Sequence, residues 1–420
     1  MSSTLRTALA LALGAAVSLG LARFSYALLL PAMRADLGWS YLTSGAMNTV
    51  NAAGYLAGAL LTVSWLRRHA ARRLFLWGSA IAGIALIAHG LVLDDTLLYL
   101  FRFITGVASA ATFIVGGLLA VRLASDASNS DVSDDHDARR PAQAGLILGV
   151  YYGGTGIGIV ASALLVPALI DSTRITPTTL HDWQRAWFGL GIAALLATFV
   201  MAVATRHLDA PARTTTYATT SAANAAANAA ATKGSRFAVR DFSFALAAYF
   251  LFGLGYIGYM TFVITLLREM RLSDGLITSF FVALGVAVIA SSWIWARLLQ
   301  RSRGGEAMTL LDALLAVATL LPVLSAHPIA VFASGLLFGG VFLSVVASTT
   351  ALVRHNLEPS AWSAGIGAFT VVFAAGQIVG PTLIGWVADG SSGLRGGLAC
   401  SAGVLAIAAV VAWKQKPRAH

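Results

Sequence analysis

The chain has 420 residues, of which 58% are hydrophobic and only 11% are charged, and its mean hydropathy is +0.78. Soluble domains carry about 25% charged residues, so this composition excludes water-soluble enzymes and nucleic-acid-binding proteins. The net charge of +10 would by itself suit a nucleic-acid partner. However, the basic residues lie in short loops between apolar segments, which is typical of the orientation signals of a membrane protein. No nucleic-acid partner is expected.

Apolar segments long enough to cross a membrane recur along the whole chain. A bilayer core of about 30 Å needs about 20 apolar residues in a helix, and on this basis the sequence predicts twelve spans. They lie near residues 7–31, 42–65, 74–93, 97–121, 145–170, 185–205, 242–267, 275–298, 307–325, 328–352, 362–387 and 394–413. The first span begins like a cleavable signal peptide, but its apolar stretch continues to Leu30, which favours a membrane span.

A low-complexity segment separates six spans from six. Residues 206–241 contain a stretch rich in alanine, threonine and asparagine that has no apolar face to bury, and we interpret them as a cytoplasmic linker. The predicted organisation is therefore an N-terminal bundle over residues 1–205, this linker, and a C-terminal bundle over residues 242–420.

An acidic insert lies between spans four and five, at residues 125–141. Its adjacent side chains Asp134, Asp135, His136 and Asp137 could be considered as metal ligands, but consecutive residues do not converge on one ion without a specific loop fold. We interpret the insert as a solvated loop. The single cysteine, Cys400, forms no intramolecular disulfide and no cysteine cluster for a metal. Neither a metal nor a cofactor is expected.

The basic residues also predict the orientation of the chain. Most of the 28 lysine and arginine residues lie in loops on the side of the two chain ends. The contrast is strongest between the loop that contains Arg67, Arg68, Arg72 and Arg73 and the next loop, which contains acidic residues. By the positive-inside rule both termini are cytoplasmic, and the protein is expected in the inner (plasma) membrane of the cell.

The two halves share an internal repeat. GLARFSY at 20–26 in span one matches GLGYIGY at 253–259 in span seven, and the same offset places Gly106 of span four on Gly339 of span ten. Parallel repeats of six spans are the architecture of the major facilitator superfamily, which holds its substrate between the halves near the middle of the membrane.

Several motifs resemble that superfamily. Arg102 to Gly106 in span four is similar to its RxxxG element, and the segments at 20–33, 51–59 and 376–389 resemble its uncharacterised YbfB/YjiJ-type branch over nearly the whole chain. The resemblance implies an all-α membrane protein with twelve transmembrane helices in two pseudo-symmetric six-helix bundles. It also implies a transporter that works by alternating access and is not an enzyme.

The gating motifs of the superfamily are only partly present. The pair Arg72–Arg73 of the loop after span two is kept, but Arg68 stands where the family has an aspartate. A Gly380–Pro381 pair occurs in span eleven. With Arg102 and Gly106, these residues form the predicted gating and structural set.

Two arginines lie well inside predicted spans, away from the span ends, and they are the first candidates for a binding site. Arg23 lies about 12 Å and Arg102 about 8 Å from the outer ends of their predicted helices. Because burying a guanidinium in a bilayer costs at least about 2.5 kcal/mol, each should face a wet cavity or a partner. A guanidinium presents a fork of donors that fits a carboxylate or a phosphate, so a shared anion site is one reading. For Arg102 the alternative is a structural role, with hydrogen bonds to helix carbonyls or a neighbouring side chain.

Polar and aromatic residues complete the predicted substrate site. Asn48, Asn51 and Tyr55 follow Ser44 at helical spacing, so they share one face of span two, although asparagines in membranes also join helices. In the C-terminal half the repeat places Tyr256 opposite Arg23 and Tyr259 opposite Tyr26, and Gln377 lies at a comparable depth. The predicted substrate-binding residues are Arg23, Tyr26, Asn48, Asn51, Tyr55, Arg102, Tyr256, Tyr259 and Gln377.

These residues favour a transporter of a small organic anion, secondary active or facilitative. The alternatives are an exporter of drugs or aromatic compounds and a non-transporting membrane sensor. The expected partners are a small-molecule substrate, membrane lipid, and a coupling proton or counter-anion if transport is coupled; the protein is expected to be a monomer. The one acid well inside a span is Asp312 in span nine, which we interpret as a structural contact, so no proton-coupling residue is evident.

Overall fold

The computed structural model describes residues 3–130, 139–170, 180–209 and 237–417. Asp134, Asp135, His136 and Asp137 of the acidic insert and most of the predicted linker lie outside these ranges. The twelve long helices are named α1 to α12 in chain order. They are Ser3–Leu37, Tyr41–Leu66, Ala71–His89, Asp95–Ser130, Arg139–Leu169, Asp182–Ala204, Ser243–Glu269, Asp274–Ile294, Glu306–Leu324, Pro328–Asn356, Trp362–Ala388 and Gly393–Trp413.

Each predicted span corresponds to one of these helices, and all twelve are long and apolar enough to cross a membrane. The predictions of an all-α fold and of twelve spans are therefore confirmed. Several helices extend beyond the predicted apolar segments, because a helix continues into the polar membrane surface. A clear difference is α1, which reaches Leu37, whereas the predicted span ends at Pro31. Since successive spans alternate in direction, both chain ends lie on one side, here called the terminal side, and the opposite side is the far side.

The helices pack as two equivalent bundles of six. In the first bundle α2 packs on α4, α3 on α6 and α1 on α5; in the second, α8 packs on α10, α9 on α12 and α7 on α11. The second set repeats the first with each number raised by six. Between the bundles, α2 packs on α11 and α5 on α8, which are again equivalent pairs. This is the pseudo-symmetric arrangement that the repeat predicts.

Glycines of the repeat occupy equivalent contacts. A Cβ atom on Gly106 of α4 would collide with the backbone of α2 at Asn51 and would lie 2.8 Å from the nitrogen of Tyr55. A Cβ atom on Gly339 of α10 would collide with the backbone of α8 at Leu284. Membrane helices gain packing energy when their backbones approach closely at small residues. The two glycines therefore have the same packing role in the two bundles.

We expect Gly106→Ala to destabilise the protein by about 1–3 kcal/mol, the usual effect of forcing extra atoms into a packed core. The matched control is Gly340→Ala, one residue after Gly339, where a Cβ atom meets nothing within 4 Å. Thermal unfolding of the two variants in detergent measures the difference. Equal unfolding midpoints would contradict the role given to Gly106.

The centre of α1 departs from α-helical geometry. Residues Ala16–Phe24 form a π-helix between the α-helices Ser3–Ala15 and Tyr26–Leu37, and the Ser25 amide donates to the Gly20 carbonyl five residues back at 3.0 Å. Long π-helical runs are rare, and π-turns are frequent at functional sites. The candidate residue Arg23 lies within this segment, close to its end.

Candidate functional site

Arg23 lies deep in the protein between the two bundles. Its side chain is 3% exposed. With α1 ending at Leu37, Arg23 is about 20 Å from the far-side end of its helix, and so it lies deeper than the shorter predicted span suggested. Its Nη2 donates to Oε1 of Gln377 on α11 at 3.0 Å, and the guanidinium stands 5.5 Å from the ring centre of Tyr55. Nε has no hydrogen-bond partner among the described residues.

Gln377 joins the two residues that the repeat makes equivalent. Its Oε1 accepts from Arg23 of α1, and its Nε2 donates to the hydroxyl of Tyr256 of α7. Both α7 and α11 belong to the C-terminal bundle, so one amide side chain links the charged residue of one bundle to the aromatic residue at the corresponding place of the other. Arg23, Tyr55, Tyr256 and Gln377 therefore form one group, which we call the central site.

The C-terminal side of the central site is a stack of aromatic rings. The Tyr256 ring is stacked on Phe252, Phe342 and Phe373, with ring centres 4.8, 5.9 and 5.7 Å apart. Phe24, which follows Arg23, meets Phe342 edge to face at 5.9 Å. We call Phe252, Tyr256, Phe342 and Phe373 the aromatic wall. The wall carries no charge, whereas the opposite side of the site carries the Arg23 guanidinium.

Arg102 makes a different set of contacts. It is 1% exposed; its Nη1 donates to the Ala22 carbonyl in the π-helix at 3.1 Å, and its Nη2 donates to Oδ1 of Asn48 at 3.0 Å. Its guanidinium also lies 4.6 Å from the ring centre of Tyr26. Asn48 in turn donates from Nδ2 to the Thr261 hydroxyl on α7 at 2.7 Å. Arg102 thus ties α4 to α1 and α2 and, through Asn48, to the other bundle, which supports the structural alternative for this residue.

Three other predicted substrate residues are engaged in contacts between helices. Nδ2 of Asn51 donates to the Arg102 carbonyl at 3.0 Å, and the Tyr26 hydroxyl donates to the Ser44 carbonyl at 2.9 Å. The hydroxyls of Tyr259 and Ser334 lie 2.6 Å apart. A role of Asn51, Tyr26 or Tyr259 in substrate binding stays a prediction, since each side chain also has a packing function in this arrangement.

The predicted gating residues lie at different depths: Arg72 and Arg73 are at the start of α3, whereas Gly380 and Pro381 lie inside α11. Arg72 donates from Nε to the Thr205 hydroxyl at 3.1 Å and from Nη2 to the Ala202 carbonyl at 2.6 Å. It therefore caps the end of α6, where cations are favourable. Arg73 is exposed. Gly380 packs against the backbone of α7, and Pro381 lies against Gly45 of α2.

Comparison with known proteins places the chain in a family. Residues 15–413 match the profile of a family described as uncharacterised MFS-type transporter YbfB. The chain belongs to this family of MFS-type transporters. The resemblance predicted from the motifs is therefore confirmed over nearly the whole chain, and the chain is a multi-pass membrane transporter and not an enzyme. A search of curated proteins finds no match.

Solved transporters share the fold at low sequence identity. The nucleoside transporter NupG aligns with a TM-score of 0.70 and 13% identity over 99% of this chain and 100% of its own. A bacterial homologue of the human lysosomal transporter Spinster, in an inward-facing and unoccupied conformation, gives 0.69 and 15% over 98% and 97%. The human organic anion transporter MFSD10 gives 0.62 and 14% over 98% and 100%. At such identities these likenesses show the fold alone.

Hydrogen bonds fasten the two bundles of this MFS transporter from the central site to the far side. Asp389, at the end of α11, accepts the amides of Tyr41 and Leu42 at the start of α2, at 2.8 and 2.9 Å. The Tyr41 hydroxyl donates to Glu269 at the end of α7. A carboxylate at a helix N-terminus is stabilising, and here that helix belongs to the other bundle. We call Tyr41, Glu269 and Asp389 the far-side clamp.

If the two bundles separate on each side in turn, as transport by alternating access requires, Asp389→Ala should shift the protein towards far-side opening. Hydrogen bonds to a charged group contribute about 1.5–3 kcal/mol each, and about 1.4 kcal/mol changes a population ratio tenfold. Spin labels on Ala35→Cys and Gly275→Cys, with Cys400 replaced by serine, should show longer distances in pulsed EPR.

The control for this clamp variant is Asp94→Ala. Asp94 accepts the Leu97 amide at 2.9 Å and so caps α4 within a single bundle. Its removal takes away a helix cap but no contact between bundles. If Asp94→Ala lengthens the distances as much as Asp389→Ala, or if neither changes them, the clamp does not hold the far side closed.

Several residues of this interface were not identified from the sequence. The Thr49 hydroxyl donates to the Ile378 carbonyl at 2.7 Å and lies 2.7 Å from the Thr382 hydroxyl. Thr261 receives the Asn48 bond, and Phe342 and Phe373 build the aromatic wall. Threonine and phenylalanine are ordinary in membrane helices, so residue type gives no signal. The position of Thr382 does give a signal, because it lies about one helical turn after Gln377 and Ile378.

Proposed function

We propose that this transporter carries a small amphipathic organic anion, bound at the central site with Arg23 as its charge partner. The observation that carries the proposal is the state of the Arg23 guanidinium. It is nearly fully buried, its partner Gln377 is neutral, and no carboxylate pairs with it in the part of the chain that the structure describes. A charge in the membrane interior is costly unless it is matched, and a bound anion would match it.

The aromatic wall supports an anion that also has an apolar body. Rings of Tyr256, Phe342 and Phe373 offer a flat apolar surface, and the Tyr256 hydroxyl keeps one polar contact near the charge. Aromatic rings prefer offset stacking with one another, so an aromatic carboxylate would be accommodated by its ring on the wall and its carboxylate towards Arg23. The organic anion transported by MFSD10 is a property of that protein, and the proposal does not depend on it.

The test uses benzoate as a defined aromatic carboxylate. Purified protein in proteoliposomes should take up labelled benzoate, and the neutral isostere benzamide should neither be taken up nor compete. Protein-free liposomes supply the background that passive diffusion gives. If benzoate and other small carboxylates enter no faster than into protein-free liposomes, the anion proposal fails.

A second candidate is an exporter of aromatic compounds. The aromatic wall favours it, because stacking does not require an anion. This candidate predicts that neutral and cationic aromatic compounds are moved and that transport survives replacement of Arg23. The two candidates therefore give opposite results in the benzamide control.

We also infer the orientation and assembly of the protein from the charges. Arg67 and Arg68 follow the end of α2, and Arg72 and Arg73 lie in the first turn of α3, all on the terminal side. The terminal side is therefore assigned to the cytoplasm and the protein to the inner membrane. In that orientation the far-side clamp faces outwards. The assignment as a monomer stays a prediction.

A further inference from the structure

Helix α9 carries a carboxyl group inside the membrane. Asp312 is 0% exposed, and neither of its carboxyl oxygens has a hydrogen-bond partner among the described residues. Glu306 is the first residue of α9, and Asp312 follows it by less than two helical turns. Asp312 therefore lies about 9 Å inside the terminal-side end of the helix. This isolation differs from the structural polar contact that the sequence suggested.

The surroundings of Asp312 offer no counter-charge in the described ranges. Helix α9 packs on α7, α10 and α12. Asp312 interacts electrostatically with Tyr249 of α7. Other titratable side chains away from the helix ends are Tyr256 and Tyr259 of α7 and Cys400 of α12. The charged or titratable groups at or next to the ends of these helices are Asp241, Arg268, Glu269, Glu306, His327, Arg354, His355, Arg395 and Lys414. Of these, Arg354 lies over the Trp362 ring at 4.8 Å, His355 bonds the Ser302 carbonyl at 2.8 Å and Glu306 accepts the Gly304 amide at 2.8 Å.

Burial of this kind favours the neutral carboxylic acid. An ionised carboxylate without donors or a counter-charge is strongly disfavoured away from water, and such a group binds a proton instead. If a rearrangement of helices admits water or a donor, the ionised form becomes favourable and the proton leaves. A group with these properties takes up a proton in one arrangement of the bundle and releases it in another.

Tyr249 interacts both with Asp312 and with the aromatic wall. Its hydroxyl interacts with the Thr349 side chain of α10 and electrostatically with Asp312. Its ring stacks on Phe252 and Phe373, with centres 5.6 and 4.8 Å apart. Any movement of α11, which carries Phe373, therefore acts on the residue that borders the buried carboxyl group. This gives a physical contact path from the central site to Asp312.

We propose that Asp312 is the proton-binding site that couples transport to the proton gradient, a role that rests on the proposed transport function. The O–H bond of the carboxyl group forms with a proton from water on one side of the membrane. It breaks when that proton returns to water on the other side. A proton fits better than a metal cation, because a single carboxylate cannot supply the six or more oxygen ligands of Ca²⁺, and the described residues hold no cluster of three metal-ligating side chains.

The first experiment needs no substrate. Infrared spectra of the purified protein, taken from acid to alkaline pH, should show the carbonyl stretch of a protonated carboxyl group that is lost as the pH rises. Asp312→Asn should remove that signal. Glu306→Gln, at the surface end of the same helix, should keep it. A signal of unchanged size in Asp312→Asn, or no titrating signal that depends on Asp312, overturns the proposal.

The second experiment separates this proposal from the proposed function. In proteoliposomes an imposed proton gradient should drive benzoate accumulation by the wild type and by Glu306→Gln. Asp312→Asn should lose accumulation against a gradient but keep exchange of labelled for unlabelled benzoate. If the wild type carries no benzoate, the proposed substrate fails and the infrared result alone decides whether Asp312 binds a proton. If Asp312→Asn accumulates benzoate as the wild type does, or if a sodium gradient replaces the proton gradient, the coupling role is wrong.

Discussion

Replacing Arg23 with glutamine is expected to reduce benzoate uptake at least about tenfold, because hydrogen bonds to a charged group contribute about 1.5–3 kcal/mol. The substitution keeps a hydrogen-bonding side chain at this position, although glutamine is shorter than arginine. It removes the charge and the fork of donors, including Nη2, which donates to Oε1 of Gln377 at 3.0 Å. Initial uptake rates in proteoliposomes at equal protein content measure the effect, and normal uptake by Arg23→Gln would contradict the anion proposal.

A second substitution at the same contact sharpens this test. Gln377→Glu would place an internal carboxylate against the Arg23 guanidinium, where it competes with the substrate anion, so uptake should fall although Arg23 is intact. Gln377→Leu leaves the guanidinium without a competing anion and should keep more uptake than Gln377→Glu. The reverse order would show that a polar partner for Arg23 at position 377, and not the free charge of Arg23, determines uptake.

Replacing Arg102 with alanine is expected to destabilise the folded protein more than any change at Arg23. It would take the Arg102 donor from the Ala22 carbonyl and from Oδ1 of Asn48, and a buried polar group left unsatisfied costs about 1–3 kcal/mol. It would also remove the guanidinium from the Tyr26 ring. Arg102→Lys should recover only part of the loss, because an ammonium lacks the rigid fork that reaches both acceptors.

Thermal unfolding in detergent, without substrate, checks this prediction. The unfolding midpoint should fall clearly for Arg102→Ala and less for Arg102→Lys, and Arg23→Gln should stay close to the wild type. The two assays then distinguish the roles of the two arginines, because Arg23→Gln loses transport whereas Arg102→Ala loses stability. Equal midpoints for Arg102→Ala and Arg23→Gln would mean that Arg102 does not hold α4 against α1 and α2.

In the sequence, Arg102 and Arg23 were both candidates for the same two roles, anion binding and structural support. Both are single arginines within apolar spans, and both could have faced an anion. In the folded protein the Arg102 guanidinium makes two hydrogen bonds, to the Ala22 carbonyl and to Oδ1 of Asn48, whereas the Arg23 guanidinium makes one, to Gln377. Each arginine keeps an Nε without a hydrogen-bond partner among the described residues. The π-helix at Ala16–Phe24 contributes to both outcomes, since it carries Arg23 and also presents the carbonyl that Arg102 bonds.

The amino-acid sequence by itself determined the twelve spans, the two-bundle repeat and the short list of charged residues in the membrane. These follow from local properties, because a span depends on the length of an apolar segment and a buried charge is visible as a single letter within it. Even the equivalence of Gly106 and Gly339 can be derived from their positions in the repeat.

Only the tertiary structure decided which of these residues are paired. Gln377 is far from Arg23 in the sequence, and Asp389 is similarly far from α2, the helix whose N-terminus it caps. Whether Asp312 has a donor depends on how α7, α10 and α12 turn their faces towards α9. Hydrogen bonding acts over about 3 Å, so a small rotation of one helix makes or breaks each pair, and no local pattern of residues fixes that rotation.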